Sequence, residues 1–260
     1  MKSSIIFIVC AAHLALAVGE TLQIESNCLD RNAIQVASNT TGVTSASNSS
    51  TPSETDPYNF INYCSGRTVT NGTQNVAGSC NPIPMGRIPS TSQMISSIIT
   101  FPQPQAILTE NSTFSISIQT TNLALGFFSN AKTNYVSAPQ DLDATGRVLG
   151  HVHVTIQSLL SLNTTTPPDA STYVFFKGIN DSGNGRGLLH AQVTGGLMAG
   201  VYRVCTLMAA TNHQPVIMPV ALRGAQDDCI RFTVVAGREE CPSPVTVTAT
   251  ETVTTTLSEP

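Results

Sequence analysis

Two histidines at alternate positions, His151 and His153, are the residues whose type and spacing best fit a chemical site. They lie in a segment, Val148 to Gln157, where valine and isoleucine alternate with polar residues, and this alternation predicts a β-strand. Successive side chains of a strand point to opposite faces, so both imidazoles share the face opposite the valines, with α-carbons about 6.7 Å apart. Imidazoles placed in this way can converge on one metal ion, and copper or zinc suits them best.

Two further histidines fall in the same part of the chain. His190 lies on the polar face of another predicted strand, and His213 lies in a loop between strands. We therefore predict a metal site made by His151, His153 and His213, with His190 as a candidate fourth ligand. The alternative is a purely structural role, in which the His pair is the polar face of a strand and the loop histidine bonds a backbone carbonyl.

Catalytic arrangements of other kinds are poorly supported. A Gly-x-Ser-x-Gly nucleophile elbow does not occur in the sequence. Asp227 and Asp228 form the only adjacent acidic pair between residues 94 and 236. On a strand their side chains would point to opposite faces, which favours a structural role over paired acid–base catalysis. No catalytic residue is predicted, and a protein without enzymatic activity is favoured.

The elements that must position the histidines are short strand-like segments between residues 94 and 236. Eight of them alternate apolar and polar residues and are separated by turn residues: Met94–Phe101, Phe114–Thr120, Leu149–Leu159, Tyr173–Phe176, Leu188–Thr194, Val201–Ala209, Pro215–Val220 and Ile230–Val235. This spacing predicts an all-β fold, an immunoglobulin-like antiparallel β-sandwich. Residues 100–117 fit the opening of such a domain, with a strand, a proline-rich kink and a second strand.

The regions on either side have a different composition. Residues 1–19 have a basic start, an apolar centre and small residues at the end, which predicts a secretory signal peptide. Residues 20–93 are predicted to be an irregular Cys-containing segment with a Ser/Thr-rich loop at 38–59. Residues 237–260 are predicted to be a Thr-rich tail, and its Thr density and prolines favour an O-glycosylated stalk over an edge strand.

The cysteines and glycosylation sequons also favour export. Six cysteines follow the predicted signal peptide, and an even number in an oxidising compartment implies disulfides: Cys28, Cys64, Cys80, Cys205, Cys229 and Cys241. They allow fifteen pairings. Cys205–Cys229 is favoured because both lie in strand-like segments, and Cys64–Cys80 is the most local choice for the rest. Six Asn-x-Ser/Thr sequons are candidate N-glycosylation sites: Asn39, Asn48, Asn71, Asn111, Asn163 and Asn180.

Composition limits the classes of partner. Of the 260 residues 41% are hydrophobic, which is enough for a sizeable core. Only 11% are charged and the net charge is −4, with no basic cluster, which argues against nucleic-acid binding. No segment after the signal peptide is long and apolar enough to predict a membrane span in the mature chain.

Several segments together resemble a known group of proteins: NFINYC (59–64), TNGTQNVAGSCNPIPMG (70–86), GFFSNAKTNYVSAPQ (126–140), GHVHVTIQSL (150–159), FFKGINDSGNG (175–185) and NHQPVIMPVALRGAQDDCIRFTV (212–234). Across residues 28–235 the chain resembles small secreted fungal proteins of unknown function, mainly from mushroom-type fungi, some with a misleading ribosomal-protein label. The resemblance implies a secreted or cell-wall setting and no catalytic residues.

Two functions follow as predictions. The first is a secreted, glycosylated extracellular or cell-wall-associated protein that binds a surface partner without catalysis. That partner would be a cell-wall glycan or an extracellular protein. The alternative is a copper- or zinc-binding protein, or a redox protein, that uses the His-x-His strand and the loop histidine.

Overall fold

The computed structural model describes residues 29–43 and 51–237. The chain divides into two compact units, residues 1–63 and 64–260. The described part of the first unit contains two short 3-10 turns, Arg31–Ala33 and Val36–Asn39. There the side-chain amide of Asn59 makes two hydrogen bonds to the backbone next to these turns. Its oxygen accepts from the Gln35 N–H at 2.8 Å, and its nitrogen donates to the Ala33 carbonyl at 2.6 Å.

The described part of the second unit, residues 64–237, holds a 3-10 turn, Thr91–Gln93, and nine strands. The strands are β1 Ser96–Phe101, β2 Ile107–Thr109, β3 Phe114–Thr121, β4 Leu123–Leu125, β5 Val148–Leu159, β6 Phe175–Ile179, β7 Leu188–Val193, β8 Gly200–Ala210 and β9 Cys229–Val235. Hydrogen bonding groups them into two sheets. The first has the order β1-β3-β7, and the second has the order β2-β9-β8-β5-β4, with β6 also paired to β5.

One hydrophobic core joins the inner faces of the two sheets. Ile116 and Ile118 of β3 contribute from the small sheet, and Val152 and Val154 of β5 contribute from the large one. The alternation of apolar and polar residues along these strands decides which side chains point inward. At one end, the rings of Phe114 and Phe232 meet edge to face across the two sheets, with centroids 6.2 Å apart.

The prediction of an all-β, immunoglobulin-like β-sandwich is confirmed, with one correction to its strand directions. Most pairs are antiparallel, but β2 runs parallel to β9 and β4 runs parallel to β5. The predicted strand, kink and second strand at 100–117 also occur. The chain leaves β1 through the cis Phe101–Pro102 peptide, and β2 then joins the last strand of the other sheet.

Some predicted strands differ from the observed ones. Pro215–Val220 forms only an isolated bridge, Ala209 to Pro215, because its two prolines lack the N–H that a strand ladder needs. The strands β2 and β4, each three residues long, are not among the eight predicted segments. Segments of this length are too short to show a clear alternation of apolar and polar residues.

Both favoured disulfide pairings are present. Cys205 and Cys229 face each other on β8 and β9, and Cys64–Cys80 closes an irregular segment before β1. The predicted signal peptide 1–19, Cys28, Cys241, the Asn48 sequon and nearly all of the Thr-rich tail lie outside the described residues. The other sequon asparagines are exposed: Asn39, Asn71, Asn111, Asn163 and Asn180. Within the described ranges, no helix has the length and apolar character needed to cross a membrane.

Candidate metal centre

Three of the four predicted histidines meet at one point of the large sheet. The His151 Nε2 atom lies 3.0 Å from His153 Nε2 and 3.0 Å from His213 Nδ1. All three ligand nitrogens lie within 4.8 Å of one another. Among the residues that the structure describes, no other His, Cys, Asp or Glu joins this group. We call His151, His153 and His213 the histidine triad.

Strand β5 presents the first two histidines as the sequence predicts. Val152 and Val154 point into the core and are completely buried, so His151 and His153 lie on the opposite face. That face is not open to solvent at this point, because His151 is also fully buried. The segment around residues 127–136 forms hydrogen bonds with the triad and with the turn that carries His213. It therefore covers the outer face of the large sheet at this point, while the core covers the inner face.

The turn after β8 delivers the third histidine. His213 follows the end of β8 and its N–H donates to the Ala210 carbonyl at 2.9 Å. Its backbone adopts a left-handed conformation, with φ of 72°, as does that of Val136, with φ of 44°. Such φ values are unfavourable, above all for a β-branched residue. The two segments are tied together by the Val136 N–H, which donates to the Asn212 carbonyl at 2.8 Å. Strained residues that the fold holds in place are common at functional sites.

Two backbone carbonyls fix the proton positions of two rings. The Phe127 carbonyl lies 3.0 Å from His151 Nδ1, and the Ser129 carbonyl lies 2.8 Å from His213 Nε2. A carbonyl oxygen can only accept, so each of these ring nitrogens carries the hydrogen and donates. The other nitrogen of each ring, His151 Nε2 and His213 Nδ1, therefore holds a lone pair that faces the centre of the triad. Histidine ligands to metals are usually oriented in this manner by an outer carbonyl.

Neutral rings cannot satisfy both short contacts inside the triad. Neutral His153 has one hydrogen, and on Nε2 it can satisfy the contact with His151. The lone pairs of His151 and His213, 3.0 Å apart, would still face each other without a hydrogen between them. Lone pairs at this distance repel unless a cation lies between them. The geometry therefore calls for one more positive charge, either an extra proton or a metal ion.

Burial disfavours the extra proton on His151 and on His153. Burial lowers the pKa of His151 to about 4, and the neighbouring His153 and His213 add to this effect. Burial also lowers the pKa of His153 to about 4, with a further contribution from His213. An imidazolium is poorly solvated in this position. At neutral pH the rings of His151 and His153 are neutral and available as ligands, which is the form that binds metals.

The distances suit a metal with short bonds to nitrogen. Zinc–nitrogen bonds of ~2.0–2.1 Å at tetrahedral angles place ligand nitrogens about 3.4 Å apart. The triad nitrogens lie between 3.0 and 4.8 Å apart, so small side-chain rotations would bring them into that range. Three imidazoles suit zinc or copper, the two metals that the sequence predicts.

A cavity of about 670 Å³ opens beside the triad, with His153 and His213 in its wall. The ring of Phe176 lies 5.3 Å from that of His153, and the ring of Tyr135 stacks against His213 at 6.3 Å. Asn180, one of the predicted glycosylation sites, also lines the cavity. Two of the three histidines are thus accessible from one side, while His151 is covered.

His190 does not belong to this site. It lies on the outer face of β7, in the other sheet, and its Nδ1 lies 3.0 Å from the Ser117 hydroxyl. Its polar position on a strand was predicted correctly, but the sheet to which that strand belongs was not evident from the sequence. Asp227 and Asp228 have structural contacts: Asp227 accepts from the Met208 N–H, and Asp228 accepts from the Ile99 N–H.

Sequence reasoning did not find the two carbonyl partners of the triad. Phe127 and Ser129 act through their backbone, and backbone hydrogen bonds leave no signal in residue type. Phe127 and the next residue, Phe128, both carry aromatic side chains. Both rings are about half exposed, and Phe128 contacts the edge of His151 at 6.2 Å.

Comparison with known proteins places the chain among fungal relatives. The family model described as the CLU5d N-terminal domain matches residues 97–235. "Pathogenicity cluster 5 protein d" from Colletotrichum graminicola (strain M1.001 / M2 / FGSC 10212) is 50% identical over 208 residues. That alignment covers 80% of this chain and 43% of the relative, so the chain spans less than half of that curated protein's length.

Among solved structures, a structure of Clostridium thermocellum CbhA fibronectin(III)-like modules is similar to this chain. The alignment covers 56% of this chain and 49% of the chain in that structure. The TM-score is 0.28 and the identity 8%, too low to support an argument. The disulfides and the relative fit a secreted fungal protein of unknown function, whereas an origin in mushroom-type fungi stays a prediction. The matched family domain spans more than half of the sequence, and the chain therefore belongs to the CLU5d N-terminal domain family.

Proposed function

We propose that the protein is a secreted metal-binding protein whose histidine triad holds one zinc or copper ion. The observation that supports this is the convergence of three ring nitrogens, two of them with lone pairs fixed by backbone carbonyls. A structural histidine cluster would be expected to satisfy its own hydrogen bonds. In this one the ring nitrogens of His151 and His213 face each other at 3.0 Å, which supports a bound cation.

Metal binding can be tested with two matched variants. His153→Ala removes one triad ligand, and His190→Ala removes an exposed strand histidine of the other sheet. The purified protein is freed of metal with a chelator, and zinc and copper(II) binding are then measured by isothermal titration calorimetry with elemental analysis. Wild type and His190→Ala should each bind one equivalent. His153→Ala should lose at least the ~10–100-fold in affinity that outer-shell changes typically cost.

The contrary results are equally clear. Failure of the wild-type protein to retain one equivalent of either metal would refute the proposal. If His190→Ala lost as much metal affinity as His153→Ala, the metal would not be bound specifically by the triad. Circular dichroism of both variants checks that the β-sandwich is intact.

Binding of a surface partner is the second candidate function, and exposed aromatic rings favour it. Tyr173 and Phe176 lie next to each other with ring centroids 5.9 Å apart, and they are 60% and 48% exposed. Sugars bind to protein surfaces by stacking on such rings. We propose a cell-wall glycan as the ligand. Co-sedimentation with insoluble wall polysaccharide should be reduced in Tyr173→Ala but not in Tyr58→Ala, an exposed tyrosine of the first unit. Absence of co-sedimentation by the wild type would count against glycan binding.

N-glycosylation belongs to the same proposal. Five sequon asparagines are exposed, so an oligosaccharide can extend from each without displacing the core. Digestion of the secreted protein with an N-glycosidase should lower its mass by whole glycan units. An unchanged mass would refute the modification.

A further inference from the structure

The triad has an accessible side and a covered side. The covered side carries His151, which is fully buried and bonded to the Phe127 carbonyl. The accessible side carries His153 and His213, both in the wall of the 670 Å³ cavity. This volume lies within the ~300–1,000 Å³ typical of small-molecule sites.

The described residues supply three ligands to the centre and no fourth from His, Cys, Asp or Glu. Structural zinc sites usually have four protein ligands, whereas sites with three keep a position for water or an external molecule. Because the remaining space around the nitrogens lies toward the cavity, that position would be reached from the cavity.

The cavity wall includes the polar side chains of Lys177, Asn180 and Asp227, and aromatic rings lie against the triad itself. Phe176 lies against His153, Tyr135 stacks on His213, and Leu207 and Pro215 also line the space. Gly178 lies opposite His153 on β6, and a Cβ there would lie 3.8 Å from His153 Nε2. The absence of a side chain at this position leaves room beside the ligand nitrogen.

From these observations we infer that the metal of the triad takes a small planar ligand at its open position. The ligand is an aromatic or heteroaromatic molecule that offers one nitrogen or oxygen donor to the metal and places its ring between Phe176 and Tyr135. Offset or edge-on ring contacts of this kind favour flat aromatic molecules. This inference rests on the proposed metal function and adds the class of ligand to it.

The test uses the cobalt(II)-loaded protein, whose visible absorption bands report the number and type of ligands. Two probes are titrated: azide, which is small and linear, and 4-phenylimidazole, which is planar and aromatic. Both should change the spectrum of the wild type. Phe176→Ala should weaken the apparent affinity for 4-phenylimidazole at least fivefold and leave that for azide unchanged. Tyr58→Ala removes an exposed ring of the first unit that does not line the cavity, and this matched control should change neither affinity.

The outcomes separate the inference from the proposed function. Failure to bind cobalt(II), zinc or copper refutes the metal site itself. Stoichiometric cobalt with no spectral response to either probe leaves the metal site standing and overturns the open position. A response to both probes that is unaffected by Phe176→Ala overturns the planar class of ligand.

Discussion

The outer face of β5 carries buried polar side chains at both ends, and the two ends are satisfied in different ways. Toward the end of the strand, Gln157 is almost fully buried. Its amide nitrogen donates to the Asp169 and Thr172 carbonyls at 2.9 and 2.8 Å. Its oxygen accepts from two nitrogens of Arg203, at 3.1 and 2.7 Å. All four hydrogen-bonding positions of this amide are therefore filled by the protein.

Near the start of the strand, the histidine triad is filled only in part. His151 donates to the Phe127 carbonyl, but its second nitrogen faces two more ring nitrogens at 3.0 Å. One strand face thus contains two polar networks. We call the fully hydrogen-bonded group around Gln157 the closed network, and the histidine triad the open network. The contrast is between a buried amide whose hydrogen bonds are all made within the protein and a set of ring nitrogens for which we propose a bound cation.

Breaking the closed network should have the largest effect on stability. Gln157→Leu leaves Arg203 and two carbonyls without their partner and should cost about 2–4 kcal/mol of unfolding free energy. Adding zinc should not reduce this cost. Gln192→Leu, on the exposed outer face of β7, is the control and should stay within about 0.5 kcal/mol. Urea unfolding measures both, and a small loss in Gln157→Leu would contradict the view of a closed network.

Filling the open network should stabilise the fold by a comparable amount. With free zinc at 100 times the dissociation constant, the unfolding free energy should rise by about 2.7 kcal/mol. The rise follows because the metal binds the folded triad and not the dispersed histidines of the unfolded chain. Thermal unfolding with and without zinc measures it, and His153→Ala should abolish it. A similar rise in that variant would show that zinc stabilises the protein elsewhere.

Without metal, the open network should tolerate the loss of a member. His153→Ala removes the one hydrogen bond that neutral His153 can donate to His151 Nε2, but it also relieves crowding among three nitrogens, so its cost should be about 1 kcal/mol. This is expected to be clearly less than the cost of Gln157→Leu. Chelator-treated samples in urea give the comparison. If His153→Ala proves as costly as Gln157→Leu, the triad is a structural network.

The smallest effect concerns Asp227, a half-buried carboxylate at the edge of the same cavity. Burial raises its pKa above the ordinary value of 3.8, although bonds from the Met208 N–H and the Thr206 hydroxyl act in the opposite direction. As the pH rises above 3.8, Asp227 therefore keeps its proton to a higher pH in the folded state than in the unfolded state. The free energy of unfolding falls as the pH rises from 3.8 through the raised pKa of the folded state.

Asp227→Asn keeps an oxygen acceptor and removes the titration. The variant should match the wild type at pH 3 and exceed it slightly at pH 7, as followed by urea unfolding at both values. Asp227→Ala, which loses the acceptor, should be weaker at both pH values. A variant Asp227→Asn that is less stable than wild type at pH 7 would show that the charge itself is stabilising.

Much of the fold and part of the site could be predicted from sequence because both depend on local alternation. The period-two pattern of β5 correctly separates Val152 and Val154 from the two histidines. The loop position of His213 was also correct. These features need only the geometry of a single strand and its turns.

The rest depends on long-range pairing. His190 has the same local signature as His153, yet β7 pairs with β3 in the other sheet, which the pattern along one strand does not specify. The carbonyl partners of the triad, Phe127 and Ser129, lie about twenty residues before β5, and any residue type could supply them. Gln157 looked like an ordinary polar residue of the outer face, because its partners also lie in distant segments.

The most direct test of the central claim is X-ray absorption at the zinc edge of the zinc-loaded protein. The account predicts three imidazole nitrogens at ~2.0–2.1 Å, with one further light-atom ligand. A shell without imidazole scattering, or one that contains sulfur, would contradict it.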